Sequence, residues 1–164
     1  MSRLLSSCLL TASQYVVATA RVLLIFVFLL SIANPCISAA QVLGPNPIIG
    51  GVPVVCGGIP TVVQANIGDI ARAIPGWIVL DPKVFYLPDV VQIFIYAHEC
   101  SHHVLGSNEA AADCLAIRTG RDQGWFLQND IAWLVRYFGN SPGDWTHAPG
   151  PYRINSMVSC FSAP

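Results

Sequence analysis

The residues IFIYAHECSHHVLGSNEAAAD, 93–113, decide how this chain is read. Within them His98-Glu99-Cys100-Ser101-His102 has the form H-E-x-x-H. On a helix, side chains four apart lie on one face, one above the other, so both imidazoles can bind a single zinc ion. Glu99 is rotated about 100° from His98 around the same helix, which sets its carboxylate beside the metal and not on it. That is the place of a general base acting on a metal-activated water. The flanking sequence favours a helix. Pro88 suits a first helical position, apolar residues recur at Val91, Ile95 and Val104 with Phe94 and Ala97 in the same stripe, and Gly106 ends the run.

A catalytic zinc site has three protein ligands and one open position, so a third ligand is required. The continuation that supplies a third histidine needs glycine and histidine where this chain has Leu105 and Asn108. Asn108 is instead a good N-cap, and the alanine-rich stretch from Glu109 to Thr119, closed by Gly120 as a C′ residue, reads as a second helix. Glu109 stands in its first turn, one short loop from His102, and can fold back as the third ligand. Asp113, one turn further on the same face, can accept an N–H from a metal-bound imidazole. His103 points to another face and reads as an ordinary exposed or hydrogen-bonded side chain.

Three segments match one known family. The first is HExxH followed by E-x-x-x-D at Glu109 and Asp113. The second is a hairpin of the form N-A-x-A-x-P-G-G before the site helix, here Ile70-Ala71-Arg72-Ala73-Ile74-Pro75-Gly76-Trp77. The third is T-H-P-x-x-x-x-R-I, here Thr146-His147-Ala148-Pro149-Gly150-Pro151-Tyr152-Arg153-Ile154, with the proline displaced by one. Through these the chain resembles, as a distant and minimal relative, the zinc endopeptidases that include CAAX prenyl proteases and the HtpX-like and BepA-like bacterial quality-control proteases. The likeness runs from about residue 69 to about 155. It implies a zincin-like (gluzincin) domain, one zinc ion on His98, His102 and Glu109, and a peptide or unfolded-protein substrate. It also implies His147 as a donor to the oxyanion formed in peptide hydrolysis, with Tyr152 a second candidate. Arg153 is expected to tie its loop to an acidic partner. In peptidases of this build a strand beside the site helix pairs with the substrate backbone, and Trp77 to Asp81 is the candidate edge.

Residues 1–40 contain no acidic side chain, carry Arg3 and Arg21, and include the apolar run Val22 to Ile32. That run is too short for a bilayer span and suits the core of a signal peptide, with Ser38-Ala39-Ala40 placing cleavage before Gln41. The rival reading, an uncleaved anchor from near Tyr15, would bury Arg21. Leu5-Ser6-Ser7-Cys8 resembles a lipobox, but no hydrophobic region precedes it. Residues 41–164 then form a single domain with six basic and nine acidic side chains, a formal charge of −3. Such a balance gives no reason to expect nucleic acid or anionic lipid as partner.

Cys56, Cys100, Cys114 and Cys160 remain after cleavage, an even number suited to two disulfides in an exported small domain. Three connectivities are open. We favour Cys56 with Cys100 and Cys114 with Cys160, because the first would tie the N-terminal arm to the back of the site helix. Cys100 lies about 200° around the helix from His98, so it is not a metal ligand.

Residues 41–60, uncharged and crowded with Gly and Pro, read as an irregular arm with short strand character at Val52 to Val55. Pro75-Gly76 turns a hairpin between residues 69–74 and 77–81. Leu127, Ile131, Leu134, Val135 and Phe138 space a third, core-covering helix, whose Trp133 and Tyr137 are expected to pack. A last helix from Pro151 carries Ile154, Met157, Val158 and Phe161 on one face.

The expectation is an α+β domain of short strands packed on an HExxH helix and further helices. It is exported to the periplasm or the cell exterior and hydrolyses peptide bonds with zinc and Glu99. A zinc-binding, non-proteolytic envelope assembly or chaperone-like protein is the alternative, and a disulfide-stapled interaction domain with a fortuitous HExxH is a third reading.

Overall fold

The structure, a computed structural model, describes residues 39–164. The expected leader lies outside them apart from its last two residues. The architecture is α+β. Strands β1 (Gln41–Gly44), β2 (Ile48–Ile49), β3 (Val52–Pro53), β4 (Thr61–Val63), β5 (Ala71–Ile74) and β6 (Trp77–Leu80) precede helices α1 (Asp89–Leu105), α2 (Glu109–Asp122), α3 (Ile131–Phe138) and α4 (Gly150–Ser162).

The principal sheet has the order β1-β4-β6-β5, in which β4 and β6 run parallel and the outer pairs antiparallel. The expected hairpin is β5–β6, with Ile74 opposite Trp77 across Pro75-Gly76. Its second strand is not an edge. β6 is bonded on both sides, by β4 and β5, and its Ile78, Val79 and Leu80 are buried. The free edge beside α1 is therefore β5. The sequence places Thr61-Val62-Val63 within a Pro- and Gly-bounded run too short to announce a strand, which is why β4 escapes notice. The arm is likewise more ordered than its composition suggests, since β1 extends the sheet and β2 pairs with β3.

α1 is the central element. It packs against β2, β5 and β6 as well as α2 and α3. Residues Val91 to His98 are all buried, so this part of the helix is enclosed on every face rather than along one stripe. Gln92 is tolerated there because its amide donates to the Leu87 carbonyl at 2.8 Å and accepts from Gly50 N–H at 3.2 Å. Beyond the core the helix emerges: Val104, expected in the apolar stripe, is exposed. Gly106, at φ +63°, ends the helix in a conformation that side chains disfavour.

α2 begins as expected, with the Asn108 side chain accepting from Ala111 N–H at 3.1 Å. It does not stop at Gly120. That residue is helical and buried, and a Cβ there would lie 2.0 Å from the Phe126 ring. Its role is close packing and not capping. α3 buries Ile131 and Leu134, whereas Trp133 and Tyr137 are about half exposed, contrary to the packing expected of them. In α4, Ile154 and Met157 are buried while Val158 faces outward.

Two disulfides join these parts in the favoured pairing. Cys56–Cys100 ties the arm to α1, and Cys114–Cys160 ties α2 to α4. Among the described residues no helix is long and apolar enough to cross a membrane.

Candidate metal centre

The C-terminal half of α1 and the first turn of α2 bring three ligand atoms together. His98 Nε2 lies 3.0 Å from His102 Nε2 and 3.1 Å from Glu109 Oε2, and His102 Nε2 lies 3.5 Å from that same oxygen. Zinc bonds of about 2.0–2.1 Å in a tetrahedron require ligand separations of about 3.3 Å, so the triangle fits one face of such a site.

The hydrogen bonding of the two rings supports the same reading. His102 Nδ1 stands 2.6 Å from the Gly106 carbonyl, which can only accept. Nδ1 therefore donates to it, which leaves Nε2 to face His98 and Glu109. His98 Nδ1 lies 2.9 Å from Asp113 Oδ1, a close contact although not aligned as a hydrogen bond. Three ligand-type atoms thus converge, and the cluster could hold a metal ion. Burial disfavours charge on His98, yet the Asp113 and Glu109 carboxylates outweigh it and raise its pKa to about 9. For Glu109 and Asp113, burial acts upward, but His98 for the first and Arg153 with His98 for the second hold both carboxyls below their usual range. The site draws positive charge inward, be it a proton or a metal ion.

Asp113 itself is buried and accepts two bonds of 2.7 Å from the Arg153 guanidinium. This is the acidic partner expected for Arg153. Glu99 lines the cleft next to His98 and His102, and burial pushes its carboxyl upward against the pull of both histidines. Cys100 faces away, into its disulfide. His103 Nε2 donates to the Trp77 carbonyl at 3.2 Å and so ties α1 to the hairpin.

His147, on the loop between α3 and α4, comes to the same place, with Nε2 3.0 Å from Glu109 Oε2. It remains outside the His98–His102–Glu109 group of mutually close ligand atoms. Tyr152 is exposed and lines a cavity of about 310 Å³ with Glu109, Ala110 and Asp113, and not the open cleft, with which that cavity shares Glu109. The cleft, about 900 Å³, runs between β5 and the 144–147 loop over His98, Glu99, His102 and Glu109, and no residue of the arm lines it. A deeper recess of about 360 Å³ beside His98 is walled by Phe94, Ile95, Tyr137 and Phe138.

Sequence reading passed over Asp144. Its carboxylate holds the loop through three bonds to Thr146 and His147. An aspartate two residues before a threonine is the signature of a side-chain-closed turn, and D-W-T-H carries that signal. Comparison with protein-family models, with curated proteins and with solved structures finds no match for this chain.

Proposed function

We propose that the protein is a zinc-dependent endopeptidase, exported across a membrane and stapled by its two disulfides, in a minimal zincin-like domain. The observation that carries this reading is the convergence of His98, His102 and Glu109 at ligand spacing, with Glu99 beside them in an open cleft. The resemblance of the HExxH, hairpin and Thr146-His147 segments to zinc endopeptidases points the same way.

A zinc ion on these three residues would supply Lewis acidity, polarising a scissile carbonyl and acidifying water. The chain's own groups do the rest. Glu99, its carboxyl raised by burial, accepts a proton from the attacking water and returns it to the departing amine. His147, with Nε2 3.0 Å from Glu109 Oε2, would donate to the oxygen that gains charge. The free edge of β5 offers backbone groups to an extended peptide, as the interior strand β6 cannot. Asp113 and Arg153 hold His98 in orientation.

The test is exposure of the oxidised, zinc-loaded protein and its Glu99→Gln variant to a complex peptide library, with cleavage sites read by mass spectrometry. Cuts made only by the wild type, and abolished by a chelator, are expected. Zinc retention by both proteins with no cuts by either would turn the reading toward a non-proteolytic zinc protein.

A further inference from the structure

We propose that Asp144 and Thr146 form a strap that fixes the orientation of the His147 ring, holding its Nδ1 edge against the Thr146 hydroxyl and so aiming Nε2 into the cleft. The loop from Ser141 to Pro149 closes on itself, with Gly150 N–H donating to the Ser141 carbonyl at 2.8 Å and Asp144 N–H to the His147 carbonyl at 2.9 Å. Inside it, Asp144 Oδ1 accepts from Thr146 N–H at 2.7 Å, His147 N–H at 2.7 Å and the Thr146 hydroxyl at 2.6 Å. Gly143 at φ +76° makes the turn possible, since a Cβ there would meet the His147 carbonyl oxygen and Pro149 nitrogen at 2.7 Å. Trp145 at the tip is 96% exposed, so hydrogen bonds and not burial give this loop its shape.

The ring is held from its Nδ1 side. Thr146 Oγ1 lies 2.6 Å from Asp144 Oδ1 and 2.8 Å from His147 Nδ1, so the hydroxyl bridges the loop's own carboxylate to the ring. Nε2 is left to face Glu109 Oε2 and the cleft. A histidine on an exposed loop would otherwise turn about χ1 and χ2 among several orientations, at an entropic cost paid in each turnover. Asp144 and Thr146 are thus positioning residues that act through His147.

The catalytic consequence rests on the peptidase reading, whereas the fixed orientation of the ring does not. The experiment compares the zinc-loaded, oxidised chain with its Thr146→Val and Thr146→Ser variants. NMR of His147 gives the first readout. One ring orientation, read from its side-chain couplings and its nuclear Overhauser contacts with residue 146, is expected in the wild type and in Thr146→Ser, and averaging over several orientations in Thr146→Val. Kinetics on a cleaved peptide give the second: Thr146→Val should lower kcat by up to about 10²-fold with KM nearly unchanged, and Thr146→Ser should restore it, with zinc content equal in all three. Averaging of the His147 ring over several orientations in the wild type, or full kcat in Thr146→Val, would overturn the proposal. Absence of cleavage by every form, with the NMR pattern as expected, would support the strap and remove the peptidase reading instead.

Discussion

Asp113 Oδ1 lies 2.9 Å from His98 Nδ1 while the same carboxylate takes both 2.7 Å bonds of the Arg153 guanidinium. One buried carboxylate thereby links the outermost loop-helix junction to the first of the three candidate ligands. Arg153→Met should leave Asp113 buried with only the His98 imidazolium as counter-charge. Breaking a buried pair costs about 3–5 kcal/mol where the remaining charge is uncompensated, so a loss below that range is expected, which urea denaturation of the zinc-free protein would register. Zinc affinity should fall as well, by about 10–100-fold, since an orienting partner of a ligand is disturbed.

The titration of His98 sets a pH window for the zinc-free protein. Its folded pKa, about 9, lies above the unfolded value of about 6.5, so its contribution is complete below about pH 6.5 and is lost as pH rises toward 9. Urea midpoints should therefore decline across that interval. Zinc displaces the same proton, so zinc affinity should rise over the same interval. Asp113 acts at the other end: its depressed carboxyl withdraws stability as pH falls below about 3.9. A midpoint unchanged between pH 6.5 and 9 would contradict the assignment for His98.

Glu99→Gln preserves the shape of the side chain and removes its basicity. Zinc content should equal that of the wild type, and kcat should drop by about 10²–10⁴-fold, the usual contribution of a positioned base. Zinc lost from the variant would mean that Glu99 is a ligand and not a base.

Gly120→Ala separates helix propensity from packing. Alanine in a helix interior gains about 1 kcal/mol over glycine, but here its Cβ would stand 2.0 Å from the ring of Phe126, which is itself buried. Overpacking costs about 1–3 kcal/mol or more, and packing should win. Thermal unfolding is expected at a lower temperature than wild type; a higher Tm would show that Phe126 yields freely.

Local signals explain what the sequence reveals. The end of α1 and the start of α2 follow from Gly106 and Asn108, because a positive-φ stop and a capping side chain act within a few residues. The spacing of His98 and His102 and the nearness of Glu109 are likewise local. What depends on distant neighbours is less legible. Gly120 looks like a helix stop until Phe126 is seen against it. β6 looks like an edge until β4 pairs beside it, and Trp133 and Tyr137 look like core until α3 turns them outward. The contact of Arg153 with Asp113, 40 residues away, is legible as a need for an acid but not as a choice among nine.

The central claim is a single zinc ion on His98, His102 and Glu109. Its most direct measurement is zinc stoichiometry combined with X-ray absorption spectroscopy on the wild type, His98→Ala and Glu109→Ala. One zinc per chain is expected, bound by two imidazole nitrogens and one carboxylate oxygen at about 2.0–2.2 Å, with binding greatly weakened in both variants. Zinc retained at wild-type affinity after loss of His98, or a thiolate in the coordination shell, would contradict the account.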